Sequence, residues 1–138
     1  MKKSFLIFVT IIILLIGAGW WSKSLQQNDP NIISRNGIHW HPLLEVYVKG
    51  EKIEIPQNIG LVGVHSPIHT HDDLPIIHME FSGKVTEEDT RLGNFFKVWG
   101  KEFLSFGERV TMTVNGQENA EFENYQMHDG DEIEIHYE

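Results

Sequence analysis

The sequence predicts an α+β fold in which a mixed sheet is crossed by one helix and is preceded by an N-terminal transmembrane helix. Three observations lead to this prediction. An uncharged apolar run occupies residues 5–21, short segments further along alternate apolar and polar residues, and one later stretch carries aromatic residues at helical spacing. The chain has 138 residues, which suffices for one domain with a single core after the apolar run.

The apolar run is long enough to serve as a membrane anchor. At about 1.5 Å per residue it covers about 25 Å, slightly less than an average hydrocarbon core. Lys2 and Lys3 precede it, and Trp20 and Trp21 end it where an aromatic belt belongs. We predict an uncleaved signal anchor over residues 1–23, with the N-terminus in the cytoplasm. A cleaved signal peptide and a buried helix of a soluble protein are the alternatives.

The residues after the anchor predict an acidic extracytoplasmic domain (37–138) joined by a short tether (24–36), which is polar and contains one proline. The whole chain has a net charge of −9, and three of its 11 lysines and arginines lie at the anchor: Lys2, Lys3 and Lys23. An acidic domain attracts cations and lacks the basic surface that nucleic-acid binding requires, so we expect no nucleic-acid partner.

The first half of the domain predicts a β-hairpin and a third extended segment. Residues 44–49 and 52–56 alternate apolar and polar side chains on either side of a Gly-Glu turn. Residues 75–81 are the extended segment. One of its faces carries Ile77, Met79 and Phe81, and the other carries His78 and Glu80.

The second half predicts one helix followed by two strands. Residues 86–89 (Thr-Glu-Glu-Asp) supply N-terminal capping chemistry, and Gly100 supplies a C-terminal stop. The apolar residues at helical spacing are Leu92, Phe95, Phe96, Trp99 and Phe103. Residues 110–114 and 132–137 alternate, and an Asn-Gly hairpin signal follows the first of them. This order favours a mixed sheet crossed by one helix, and an antiparallel sandwich with a short helix in a loop is the alternative.

Two parts of the sequence carry a family resemblance. Residues 109–138 resemble the last two strands of a β-grasp (ubiquitin-like) domain, through the Asn-Gly turn and the Asp-Gly-Asp-Glu-Ile stretch. The whole chain resembles a family of small membrane-anchored proteins of bacteria and archaea. The shared motifs are His39-Trp40-His41, His69-Thr70-His71-Asp72, Ile77-His78-Met79-Glu80 and residues 92–100 (LGNFFKVWG). These resemblances imply a β-grasp-like sheet behind a membrane anchor, and they supply no activity.

Histidine is unusually frequent in this chain, and cysteine is absent. Six of the eight histidines lie between His39 and His78. Histidine is the commonest metal ligand, so such a cluster points to a metal site. The absence of cysteine excludes a disulfide scaffold, thiolate zinc sites, iron–sulfur clusters, a cupredoxin-type copper centre and cysteine nucleophiles.

Three pairs of side chains, each separated by two positions, predict where the metal ligands are. The pairs are His39 and His41, His69 and His71, and His78 and Glu80. In an extended chain, residues two apart project from the same face about 6.6 Å apart, which lets two imidazoles reach one ion. We predict five metal ligands: His39, His41, His69, His71 and His78. The alternative is that these histidines are polar surface and loop residues that bind no ion.

Neighbouring residues have more than one predicted role. Glu80 is an oxygen ligand, a partner that fixes an imidazole tautomer, or the general base if the protein is an enzyme. Asp72 orients a ligand or forms a turn, and His65 belongs to the site or to a loop. Trp40 forms a wall of the site or packs in the core. Two histidines are expected to lie outside the site: His128 and His136.

The ligand type narrows the choice of metal. Imidazole suits copper, zinc, nickel and Fe(II) rather than calcium or magnesium. Copper is the first choice, because nitrogen ligands bind Cu(II) more tightly than zinc and because cytoplasmic copper buffering does not act outside the membrane. Zinc is the second choice.

Three functions remain open on the sequence. The first is a membrane-anchored extracytoplasmic metal-binding protein that buffers, senses or delivers its ion, with a protein partner if it delivers. The second is a small metalloenzyme, either a type-2 copper redox enzyme or a zinc hydrolase with Glu80 as base. The third is a β-grasp interaction module that binds no metal.

Overall fold

The computed structural model describes residues 2–27 and 29–138, and the chain divides into two units between Asn31 and Ile32. The first unit contains helix α1 (Lys2–Gln27). Within it, Lys3–Ser24 is long and apolar enough to cross a membrane or to act as a signal sequence. Apolar residues surround this helix instead of covering one face, as expected for a helix that contacts lipid. The helix continues past residue 23, where the sequence predicts the anchor to end.

The second unit is an α+β domain, as the sequence predicts. Its strands are β1 (Ile32–Ser34), β2 (Ile38–Trp40), β3 (Leu43–Val48), β4 (Glu51–Ile53), β5 (Ile68–His69), β6 (His78–Phe81), β7 (Val85–Thr86), β8 (Val110–Val114), β9 (Gln117–Glu118) and β10 (Glu132–Tyr137). Helix α2 spans Leu92–Trp99, and a 3₁₀ helix spans Phe122–Asn124. Strand β1 lies within the predicted tether.

The larger sheet has five strands in the order β4-β3-β10-β8-β9. The central strands β3 and β10 run parallel, and their register pairs Leu43 with Glu132 and Val48 with Tyr137. The other neighbouring strands in this sheet are antiparallel. The sheet is therefore mixed: β10 lies between two hairpins and runs parallel to β3 and antiparallel to β8. The chain passes through α2 on its way from one hairpin to the other.

A smaller antiparallel sheet has the order β2-β6-β5, and β1 pairs with β7 separately. Two backbone hydrogen bonds join the smaller sheet to the start of β3. The N–H of Leu44 donates to the Pro75 carbonyl (3.0 Å), and the N–H of Ile77 donates to the Pro42 carbonyl (2.8 Å). The segments that lead into β6 and out of β2 are thus fixed to the larger sheet.

One buried cluster connects the sheets to α2. Its members include Leu44, Val46, Ile68, Met79, Leu92, Phe95, Phe96, Met112, Ile133 and Ile135. Gly100 ends α2 in the left-handed conformation (φ 75°), as predicted. The helix begins at Leu92 and not at residues 86–89. The Asp89 carboxylate accepts the N–H and the hydroxyl of Thr86 (2.8 and 2.7 Å), which closes a turn ahead of the helix.

A buried carboxylate organises the turn before β10. Asp131 is 7% exposed and accepts hydrogen bonds from the Tyr125 hydroxyl (2.8 Å), the His128 N–H (2.7 Å) and the Asn115 side-chain amide (3.0 Å). Its backbone carbonyl accepts the Leu43 N–H (2.7 Å) where the parallel pairing begins. Burial and the bond to Asp131 raise the pKa of Tyr125 well above its usual range, so its hydroxyl stays a donor.

We expect Asp131→Ala to lower the free energy of unfolding by about 2–4 kcal/mol, because three part-buried hydrogen bonds, from Tyr125, His128 and Asn115, lose their acceptor. Chemical denaturation of the wild type and the variant measures the difference. Glu134→Ala, on the exposed face of β10, is the matched control and should stay within about 0.5 kcal/mol of the wild type. Equal stability of D131A and the wild type would contradict this role for Asp131.

Candidate metal centre

The sheet β2-β6-β5 carries His39, His69 and His78 on one face, and His41 and His71 lie just beyond the ends of β2 and β5. In the register of β2 and β6, His39 lies opposite Glu80, and continuing it by two residues brings His41 opposite His78. On the other edge of β6, His69 lies directly opposite His78. Side chains alternate along a strand, so residues between these histidines point the other way. The opposite face carries Trp40, Met79 and Ile68, all in or against the core.

The five predicted histidine ligands are brought together. Ring centroids lie 4.7 Å apart for His39 and His41, and 4.9 Å apart for His41 and His78. His78 also contacts His71 (4.7 Å) and His69 (5.5 Å), and those two rings lie 4.9 Å apart. His78 therefore touches rings from both edges of the small sheet.

The ligand atoms form two overlapping groups. His69, His71 and His78 make the inner triad, and His39, His41 and His78 make the outer triad. In each triad one nitrogen from every ring lies within 4.8 Å of the others. Two nitrogens bound to one ion at about 2.1 Å are at most about 4.2 Å apart, so small ring movements would close either triad around an ion.

The two triads differ in exposure. His69 is 5% exposed, and the side chain of His78 is 12% exposed. The side chains of His41 and His39 are 39% and 63% exposed. Solvent therefore reaches the outer triad first.

The buried histidine is held in one tautomer. The Nδ1–H of His69 donates to the Ser66 carbonyl (3.1 Å), which leaves the lone pair on Nε2. Burial lowers the pKa of His69 more than the Ser66 bond raises it, so the ring is neutral at neutral pH. A neutral ring whose other nitrogen bonds a carbonyl is the usual form of a metal-binding histidine.

A carboxylate orients the shared ring. Nε2 of His78 lies 3.1 and 3.0 Å from the two Asp73 oxygens and donates its proton to them, which leaves the lone pair on Nδ1. The hydrogen bond from His78 holds the pKa of Asp73 below its usual range, so the carboxylate stays charged. The histidine–carboxylate pair fixes the ring and makes it a better ligand.

Two further carboxylates lie beside the outer triad. Nε2 of His39 contacts the Glu80 carboxylate at 3.1 Å. The backbone N–H of His41 donates to Asp129 (2.8 Å), whose same oxygen lies 3.9 Å from the His41 ring. This contact is compatible with the predicted role of Glu80 as a partner that fixes an imidazole tautomer, and its roles as oxygen ligand and general base stay predictions. An open groove runs beside β2 and β6, with His39 and Glu80 in its lining.

Other histidines lie apart from the triads. Neither triad found among residues 2–27 and 29–138 includes His65, which is exposed in the loop before β5. His128 packs on Trp40, with ring centroids 5.9 Å apart, and Trp40 packs against the core. His136 stacks on Tyr47 on the outer face of the large sheet (4.6 Å, 6° between planes).

Asp73 and Asp129 are partners of the site that sequence reasoning misses. Both lie in turns, and Asp129 is far along the chain from His41. Their spacing to the histidines carries no periodic signal, because turn residues reach the site through tertiary folding. Asp72 is exposed and belongs to neither triad among the described residues.

In metal-free protein at neutral pH, we expect His69 to carry its proton on Nδ1 and His78 on Nε2. Long-range ¹H–¹⁵N correlation spectra distinguish the two tautomers. Asp73→Ala should remove the tautomer preference of His78 and leave His69 unchanged. A proton on Nε2 of His69 would contradict the assignment of that nitrogen as the free one.

Comparison with known proteins gives no match: no family model, curated protein or solved structure matches this chain. The family resemblance based on the histidine motifs stays a prediction. The geometry of the two triads is therefore the basis for assigning a function.

Proposed function

We propose that this protein binds a transition metal ion, copper in the first place, at the five-histidine cluster. The observation that carries the proposal is the meeting of five rings, on three strands and just beyond the ends of two of them, in two triads of ligand-competent spacing. The tautomers held by Ser66 and Asp73 support it, since they leave one nitrogen of His69 and one of His78 free for an ion.

The ligand set supports copper ahead of zinc. Both triads consist of imidazoles alone, and nitrogen ligands bind Cu(II) more tightly than the other divalent ions of its row. The chain has no cysteine, so neither thiolate zinc ligation nor a thiolate Cu(I) carrier applies. Zinc is the second candidate, because it also accepts three histidines and an open position.

The position of Glu80 favours binding over hydrolysis. A zinc hydrolase would need a carboxylate that is free to take a proton from metal-bound water. The Glu80 carboxylate instead contacts His39 at the exposed end of the cluster. We therefore rank a metal-binding protein, with a protein partner if it delivers its ion, ahead of a metalloenzyme. The two histidine triads rank it ahead of a module that binds no metal.

The anchor and the topology complete the proposal. We propose that α1 is an uncleaved signal anchor and that the domain lies outside the cytoplasm, since Lys2 and Lys3 precede the apolar segment. We also propose a β-grasp topology for the domain. The strand order β4-β3-β10-β8-β9, with β10 between two hairpins and parallel to β3, supports it.

Elemental mass spectrometry of full-length protein, purified in detergent without chelator or histidine tag, tests the metal site. We expect about one equivalent of copper or zinc in the wild type. H69A/H71A should lose it, because the inner triad loses two of its three ligands. H128A/H136A is the matched control outside the triads and should keep its metal. A folded wild type that is metal-free and also binds neither ion on titration would overturn the proposed function.

Metal binding should also stabilise the fold. Free Cu(II) at about 100 times its dissociation constant adds about 2.7 kcal/mol to the free energy of unfolding. For a domain of this size that raises the Tm by about 10 °C in a calorimetric scan. Excess EDTA should reverse the rise, and H69A/H71A should show little of it. An equal rise in H69A/H71A would locate the binding elsewhere.

A further inference from the structure

We infer that the two triads are successive positions of one metal ion, which moves between them while it stays bound to His78. The inference rests on the proposed function, since it concerns how the same site takes up and releases its ion. The ion is the cargo in this process. Its oxidation state does not change when it moves.

The shared ring limits the cluster to one ion at a time. Nε2 of His78 is bonded to Asp73, so only Nδ1 offers a lone pair. Binding two ions would require His78 to lose its second proton and bridge as an imidazolate, which would remove the proton that it donates to Asp73. The two triads are therefore alternative positions.

The spacing keeps the two histidine pairs apart as ligands. Among the described residues, no group of three or more mutually close ligand atoms combines a member of the outer pair, His39 and His41, with a member of the inner pair, His69 and His71. One ion at about 2.1 Å from each nitrogen needs all of them within about 4.2 Å. In this arrangement, one ion binds His78 together with one pair or the other.

Exposure and charge give the path a direction. In the outer pair, His39 lines an open groove. Glu80 lies beside His39 and Asp129 lies beside His41, and these carboxylates attract a cation arriving from solvent. The inner pair contains the buried His69, whose Nε2 is free because Nδ1 is bonded to the Ser66 carbonyl. The outer position is therefore suited to fast exchange, and the inner position to retention.

The movement exchanges metal–nitrogen bonds and transfers neither a proton nor an electron. The bond from the ion to Nδ1 of His78 persists. Bonds to His39 and His41 break, and bonds to His69 and His71 form, each through the lone pair of a neutral ring. The His78 ring lies within reach of both pairs. Its centroid is 4.9 Å from the His41 ring of the outer pair and 4.7 Å from the His71 ring of the inner pair.

Stopped-flow kinetics on full-length protein in detergent micelles test the inference. Cu(II) uptake is followed by quenching of tryptophan fluorescence, and release is followed after mixing with EDTA. The variants are H39A/H41A, H69A/H71A and H78A, with H128A/H136A as control. Circular dichroism checks that each is folded, and H39Q/H41Q and H69Q/H71Q replace any alanine variant that is not.

The expected pattern separates rate from affinity. H39A/H41A should slow both uptake and release about tenfold or more while its dissociation constant stays within about threefold of the wild type, because only the access position is lost. H69A/H71A and H78A should each weaken binding about 100-fold or more, and the remaining binding by H69A/H71A should be fast. The control should match the wild type.

Other outcomes overturn the inference in distinguishable ways. Unchanged rates in H39A/H41A would show that the ion reaches the inner triad directly. An affinity loss in H39A/H41A equal to that in H69A/H71A would indicate one site that uses all five rings. Both results would leave the proposed function standing, whereas a folded wild type that binds no Cu(II) would overturn the function and the inference together.

Discussion

Strand β6 forms backbone hydrogen bonds with β2 on one edge and with β5 on the other, and the position of every candidate ligand depends on that pairing. The same pairing builds the core, because Met79 is buried on one face of β6 while His78 joins the cluster on the other. A slip of one residue in either register would exchange the two faces. The apolar alternation that buries Met79 and Ile68 therefore also keeps the histidines together.

Groups outside the cluster orient its rings. Asp73 accepts a hydrogen bond from His78, the Ser66 carbonyl accepts one from His69, and Glu80 contacts His39. These contacts restrict ring rotation, so part of the entropy lost on ion binding is already lost on folding. The charged partners lie toward the exposed end and at the shared ring, whereas the buried ring has a neutral partner. A carboxylate beside the buried His69 would itself be buried, and the loss of its hydration would cost free energy.

Much of this arrangement was predictable from the sequence, for identifiable reasons. Spacing of two on an extended chain predicts that His39 meets His41 and that His69 meets His71. The second member of each pair lies just beyond the end of its strand. The meeting of His41 with His78 depends on cross-strand register, which no local pattern encodes. The start of α2 at Leu92 was missed because the Thr86 and Asp89 side chains bond each other in a turn instead of capping the helix. Asp73 and Asp129 are not predictable for a different reason: they reach His78 and His41 through tertiary folding, and their spacing along the chain follows no regular period.

The last strand of the domain in chain order is also the middle of the large sheet. β10 lies between β3 and β8, and its buried residues Ile133, Ile135 and Tyr137 complete the core. Until β10 is synthesised, the edge of β3 that it covers stays unpaired, and the apolar face of the first hairpin stays open to water and to other chains. Assembly of the large sheet therefore waits for its last strand, and loss of β10 removes the centre of the sheet instead of its edge.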